Sequence, residues 1–185
     1  MITANDLRKG TTFKMEGELY RVVDYKHSFI GRGTATVKLK LRNLRTRAIT
    51  EQTFFPEERF EEVRLEKREV QYLYSDGDLY YFMDTETYEQ PALSEEVLGE
   101  AKNYITEGLI LHLSMYDEEP IEIELPSAVE LLVTEAPPGY AGDTATGATK
   151  QVTLETGLRV QVPLFIEEGD KIRVDTRTGE YITRV

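Results

Sequence analysis

The stretch TVKLKLRNL, Thr36 to Leu44, alternates in character residue by residue. Val37, Leu39 and Leu41 fall on one face and Lys38, Lys40 and Arg42 on the other. Alternation with period two marks a half-buried strand, because successive side chains leave the backbone on opposite sides. Here the exposed face is cationic. Outward from this stretch the pattern recurs in LYRVVDY (19–25), VQYLYS (70–75), LYYFMD (79–84), IEIEL (121–125), VELLVTE (129–135), LRVQVPLFI (158–166) and DKIRVDT (170–176). Gly and Asp punctuate the runs, as in EGE (16–18), SDGD (75–78), LETG (154–157), EEGD (167–170) and RTGE (177–180). Short strands spaced by such turn signals predict an all-β chain of small barrels or sandwiches. One stretch, SEEVLGEAKNYI (94–105), predicts a short helix with Ser94 as its cap and Glu95 and Glu96 in its first turn. Leu7 reads as a core anchor ahead of a turn at Gly10.

Two breaks divide the chain. Near 64–66 a basic segment gives way to an acidic one, and near 126–128 Pro126 and Ser127 interrupt the alternation. The resulting segments, 1–65, 66–127 and 128–185, are each close to the lower size limit for an independent core, so packing between them is expected to matter. The 185 residues carry a net charge of −12, which taken alone argues against a nucleic-acid binder. The distribution argues otherwise: the segments carry +4, −13 and −3. Residues 25–50 contain no acid but hold Lys26, Arg32, Lys38, Lys40, Arg42, Arg45 and Arg47. A basic face beside an acidic middle suits docking on a polyanion in one orientation; the competing account is a solvated strand surface. Two loops stand out by composition, HSFIGRGTAT (27–36) and EAPPGYAGDTATGATK (135–150), and loops of the second length are often functional.

Several chemistries are excluded. With no Cys there is no disulfide scaffold, thiolate metal site or thiol nucleophile. The two His, His27 and His112, lie far apart, so a multi-His metal centre is not expected. No run approaches the ~18 apolar residues of a membrane span, and MITANDLRKG lacks the apolar core of a signal peptide, which predicts a cytoplasmic protein. GRGT (31–34) lacks the rest of a phosphate-binding loop. Ser28, Ser75, Ser94, Ser114 and Ser127 lack a nucleophile elbow. DEE (117–119) reads as a solvated turn rather than a cation site. No catalytic set emerges, no metal or cofactor is implied, and the chain is read as a non-enzyme. His27 reads either as a phosphate contact or, the reading favoured, as a strand-end residue; His112 alternates with Leu111 and Leu113 and is expected to face outward.

Arg32 is singled out by its setting. Gly31 and Gly33 remove side-chain bulk on both sides and let the backbone approach another surface closely. A guanidinium there can grip phosphate with two parallel bonds or stack on a base. With about six residues per arm at ~3.3 Å each, the tip would reach roughly 20 Å. The alternative is an ordinary Gly-rich hairpin turn.

At this point the chain resembles the bacterial elongation factor P family along its whole length. The family carries an exposed basic residue at the tip of the first segment's loop, where this chain has GRG with Arg32. The last segment reads KQVTLETGLRVQVPLFIEEGDKI, with Lys150, Gly157, Val162, Pro163 and Gly169 matching a recurrent family pattern and Val152 standing where Ala is usual. The ending DTRTGEYITRV and the loop motif Gly142-Asp143-Thr144 match as well. Both favour elongation factor P over the elongation factor P-like paralogue.

The resemblance implies an SH3-like (KOW-like) barrel over 1–65 followed by two OB-fold barrels over 66–127 and 128–185, set in an L shape, with one short helix in the middle domain. It implies a translation factor that binds the 70S ribosome, both rRNA and ribosomal proteins, between the peptidyl and exit sites. There it would lie along peptidyl-tRNA and relieve stalling at consecutive prolines. The carried-over residues are Arg32 with Gly31 and Gly33 toward the peptidyl-transferase centre, Lys38, Lys40 and Arg42 on the tRNA or rRNA backbone, Gly142, Asp143 and Thr144 near the codon, and Tyr181 and Arg184 on the small subunit. Family members often modify the tip residue. An Arg excludes lysyl addition, whereas rhamnose is added to Arg in some lineages by a dedicated modifying enzyme. A monomer is expected. The rival readings are a generic nucleic-acid-binding SH3/OB protein, which leaves the closing motif unexplained, and a carboxylate-rich metal-dependent enzyme, for which no constellation is visible.

Overall fold

Residues 1–28, 35–139 and 148–185 are described by the computed structural model. In its first unit, Met1–Glu66 with Met115–Ile121, six strands share one sheet: β1 (Ile2–Thr3), β2 (Thr12–Met15), β3 (Glu18–Ser28), β4 (Thr36–Asn43), β5 (Ile49–Phe54) and β6 (Arg59–Glu62). Their order, β1-β6-β2-β3-β4-β5, curls into a nearly closed barrel. The alternation of TVKLKLRNL is realised as burial: Val37, Leu39 and Leu41 are fully enclosed while Lys38 and Lys40 are exposed. With them pack Ala4, Leu7, Phe13, Val22, Phe54 and Phe60. Phe60 lies 5.1 Å from Phe13 and 5.2 Å from Phe54, ring centre to ring centre. Leu7 is the anchor its sequence context suggested, placed by a single 3-10 turn over Ala4–Asp6. A second small core joins Leu19, Leu44, Val63 and Ile121. Over it Arg45 grips both carboxylate oxygens of Glu119 at 3.2 and 3.1 Å and also donates to the Gly17 carbonyl.

The strands on either side of HSFIGRGTAT run further than that reading allowed. β3 continues through Ser28 and β4 begins at Thr36, with His27 opposite Val37 and Ser28 opposite Thr36. Because Val37 is completely buried, the barrel core extends to that rung.

Two five-stranded sheets follow, lying chiefly in the second unit, Lys67–Ser114 with Glu122–Val185. One orders β7 (Glu66–Ser75), β8 (Leu79–Asp84), β9 (Ala92–Ser94), β10 (Ile110–Tyr116) and β11 (Glu119–Glu124) as β11-β10-β7-β8-β9. The other orders β12 (Ala128–Glu135), β13 (Thr149–Leu154), β14 (Arg159–Pro163), β15 (Lys171–Asp175) and β16 (Tyr181–Arg184) as β14-β13-β12-β15-β16. Leu111, Leu113 and Met115 are buried on alternate positions of β10, leaving His112 on the other face as expected. Tyr104, from the middle segment, is buried in the same core as Leu131, Val133, Val152 and Ile172 of the last sheet. Packing between those two segments therefore does contribute to the core.

The helix over 94–105 is shorter than its sequence suggested. Only α1 (Glu95–Leu98) is α-helical; Gly99, at φ 55° and ψ −130°, breaks it, and a 3-10 stretch follows over Gly99–Asn103. Ser94 stands at the cap position but its hydroxyl makes no capping bond. The buried residues Leu98, Ala101 and Tyr104 recur every third position, the period of a 3-10 rather than an α-helix. Among the described residues no helix is long and apolar enough to cross a membrane.

Candidate nucleic-acid interface

The outward face of the first barrel is decided by register. Side chains directly opposite on neighbouring strands share a face. Arg42 stands opposite Arg21 on β3, Lys40 opposite Asp24, and Lys38 opposite Lys26. On the other side, Lys40 faces Glu51 of β5 and Lys38 faces Thr53. The cationic strand is thus not uniform. Lys40 lies between two carboxylate-bearing neighbours, and Lys38 also reaches Glu51 at 3.3 Å. Positive charge accumulates on the two outer rungs, Arg21–Arg42 and Lys26–Lys38. Like charges set directly opposite one another destabilise a sheet, and a bound polyanion would relieve that repulsion.

Beside this ladder lies a group that sequence reasoning missed. Arg8 stacks its guanidinium 4.7 Å above the Tyr25 ring, and the Tyr25 hydroxyl lies 3.1 Å from His27 Nδ1. The available signal was Tyr25 and His27 two apart on one strand, hence on one face; nothing local pointed to Arg8.

In the last sheet Tyr181 is half-buried and packs against the core, so strand packing accounts for its ring. Arg184 is exposed, lies 5.1 Å above the Phe165 ring and 3.9 Å from Asp170. Lys150 donates to the Pro137 carbonyl at 2.8 Å. Gly157 and Gly169 both adopt φ of 92°, a region that favours glycine and explains those two positions of the closing pattern. Val152, the departing residue, is a core residue. Within DTRTGEYITRV, the Asp175 carboxylate accepts from the Arg177 and Thr178 amides and closes a turn. Gly31, Arg32 and Gly33, and the Gly142-Asp143-Thr144 motif, lie outside the described residues.

The perturbed acids in the second unit serve turns. The Asp84 carboxyl is held below the ordinary range by the backbone amides of Thr87 and Glu86, with Arg68 adding a smaller effect. The Asp76 carboxyl is lowered by the amides of Leu79 and Asp78 and by the Tyr81 hydroxyl, which donates to it at 2.8 Å. Among the described residues no group of three or more carboxylates and imidazoles is placed to hold a metal ion.

Nearly closed β-barrels, one of them with charged rungs on its face, define an all-β protein built of several small barrels. Three family models match consecutive stretches: "Elongation factor P (EF-P) KOW-like domain" over 3–60, "Elongation factor P (EF-P) OB domain" over 65–123 and "Elongation factor P, C-terminal" over 129–184. The elongation factor P of Thermoanaerobacter sp. (strain X514) is 53% identical over 185 residues, 100% of both chains. That of Moorella thermoacetica is 52% identical over 184 residues, again 100% of both. A eukaryotic translation initiation factor 5A from Methanococcus jannaschii superposes at a TM-score of 0.48 with 21% identity, over 66% of this chain and 94% of that one. The chain belongs to the elongation factor P family, whose members are translation factors and not enzymes.

Proposed function

We propose that this factor binds the 70S ribosome between the peptidyl and exit sites, in the cytoplasm and as a monomer. There it speeds peptide-bond formation at consecutive prolines. The three segments 1–65, 66–127 and 128–185 act as its modules. The supporting observation is the full-length family match combined with a first barrel whose β3–β4 ladder carries cationic rungs and runs on to Ser28–Thr36, next to the Arg32 loop. Proline is a constrained donor and acceptor, so a Pro-Pro junction seldom visits reactive geometry. Arg32 on its glycine-flanked tip steadies the end of peptidyl-tRNA, while Lys38, Lys40 and Arg42 follow an RNA backbone. Holding the reactants near attack geometry lowers the entropic part of the barrier, and the ribosome supplies the bond chemistry. The loop motif Gly142-Asp143-Thr144 lies near the codon, and Tyr181 and Arg184 meet the small subunit.

The acidic middle segment avoids RNA and faces a basic ribosomal protein. Reversing charge tests this best at Glu96 and Glu118, since Glu95 is held by Lys102 and Glu119 by Arg45. Whether an enzyme attaches a sugar to Arg32 is read by intact mass of protein from its native host. The central test is synthesis on a Pro-Pro template with wild type and Arg32→Ala. Stimulation by the wild type alone is the expected result. Equal stimulation by both removes the role of Arg32, and stimulation by neither removes the function.

A further inference from the structure

Strict alternation through VQYLYS would put Val70, Tyr72 and Tyr74 on one face. The structure breaks that order. Val70 and Tyr72 are buried, but the register of β7 on β8 shifts after Tyr72, so that Tyr72 stands opposite Phe82 and Tyr74 opposite Tyr81. A bulge of this kind inserts one residue into a strand and re-aims the side chain that follows. Tyr74 is therefore 55% exposed on the outward face, where it stacks on Tyr81 with ring centres 4.7 Å apart and planes 22° from parallel. Ala92 of β9, opposite Tyr81, is exposed as well. The Tyr81 hydroxyl donates to Asp76 Oδ2 at 2.8 Å, and Asp76 Oδ1 accepts from the Asp78 and Leu79 amides at 2.9 and 2.8 Å. These bonds, the Leu79 amide foremost, hold the Asp76 carboxyl below its ordinary range and keep it ionised. Asp78 is exposed beside it. The middle segment has three cations, and each is paired with another acid: Lys67 with Glu124 at 2.7 Å, Arg68 with Glu89 at 3.7 Å and Lys102 with Glu95. Among the described residues no cation pairs with Asp76 or Asp78.

We propose that the Tyr74–Tyr81 pair, with Asp76 and Asp78, is a seat for an arginine of a basic protein segment, its guanidinium against the Tyr74 ring and its edge toward the two carboxylates. The proposal rests on the reading that the acidic middle segment faces a basic ribosomal protein, and deepens it by naming the residues and the side chain they take. A tyrosine face attracts a cation. A planar guanidinium stacks on the ring while its edge still donates to a carboxylate, a combination that a compact ammonium does not match. Tyr81 prepares both halves of the seat: its stack fixes the Tyr74 ring and its hydroxyl fixes Asp76, so little rotamer freedom is lost on binding. RNA bases also stack on tyrosine, but two carboxylates in a segment of net charge −13 repel the phosphates that come with them. An apolar partner would cover the rings and leave both carboxylates desolvated without a partner. A cationic protein segment satisfies rings and acids together.

The test uses the full-length protein and 70S ribosomes carrying tRNA in the peptidyl site. Dissociation constants are measured for wild type, Tyr74→Ala, Tyr74→Phe and Asp78→Asn, with thermal melts to confirm folding, and a photo-crosslinker is placed at Ala92. Tyr74→Ala is expected to weaken binding about fivefold, while Tyr74→Phe, which keeps the ring, stays within about twofold of the wild type. Asp78→Asn is expected to weaken binding about threefold; against RNA the same change would tighten it. The crosslink is expected on a ribosomal protein, in a peptide that carries arginine. The inference is overturned if Tyr74→Ala binds like the wild type, if phenylalanine is no better than alanine, or if Asp78→Asn leaves affinity unchanged or raises it. A crosslink to RNA alone, to a peptide without arginine or to a second copy of the factor overturns it too. If these variants are silent while charge reversal at Glu96 and Glu118 weakens binding, the acidic segment still faces a protein and the seat alone is refuted. Failure of the wild type itself to bind ribosomes removes the parent reading as well, and is thereby distinguished.

Discussion

Removing Lys26 and removing Lys40 should have different consequences, although both are lysines on the same exposed face. Across β3, β4 and β5 the outward rungs are Arg21–Arg42, then Asp24–Lys40–Glu51, then Lys26–Lys38–Thr53. Their formal charges are +2, −1 and +2. Rungs two residues apart are separated by about 7 Å, just inside the screening length of about 8 Å at physiological salt, so Glu51 of the middle rung also offsets Lys38, with which it pairs at 3.3 Å. A polyanion is held by the outer rungs and gains little from the middle one. Lys26→Gln or Arg42→Gln should remove one phosphate contact and flatten the salt slope of ribosome binding by about 0.7–0.9. Lys40→Gln should flatten it by no more than about 0.3, since its charge is already opposed by Asp24 and Glu51. Over a fourfold rise in salt the first change means that the variant loses about threefold less affinity than the wild type. The assay is equilibrium titration of labelled factor against 70S ribosomes at several KCl concentrations. If Lys40→Gln flattens the slope as much as Lys26→Gln does, the rung-by-rung account is wrong and net charge alone governs binding.

Two further outcomes concern stability. Arg45 and Glu119, joined by two parallel bonds with the arginine side chain only 33% exposed, should show a coupling of about 1 kcal/mol in a double-mutant cycle read by urea unfolding, the upper end for surface pairs; a coupling under about 0.3 kcal/mol refutes the bidentate geometry as a stabilising contact. Asp84 has a depressed native carboxyl pKa, so its contribution is present above the ordinary aspartate value of about 3.9 and is lost as pH falls through the lower native value. Asp84→Asn should melt lower than wild type near neutrality and show a smaller loss of melting temperature on acidification below about pH 4, with Asp76 supplying the residual slope; identical acid profiles refute the assignment.

Much of the architecture was legible from Val37, Leu39 and Leu41 alone, because strand periodicity is a property of neighbours along the chain. The turn glycines Gly157 and Gly169 were legible for the same reason: a backbone that must take positive φ selects its residue locally. The helix over 94–105 was only half legible, since burial every third residue tightened it after Gly99 into a 3-10 turn. Charge on the barrel face was not legible in its consequence. Lys38, Lys40 and Arg42 look equivalent in order, yet Lys40 stands between Asp24 and Glu51 while Lys38 stands beside Lys26 and reaches diagonally to Glu51. That distinction is made by strand register, a choice between distant segments that no local pattern encodes. Arg8 reaches Tyr25 and His27, and Tyr104 enters the core of the last sheet, for the same reason. Local chemistry specified which faces are apolar and where the chain turns; which side chains then meet was settled by the pairing that buries those faces together.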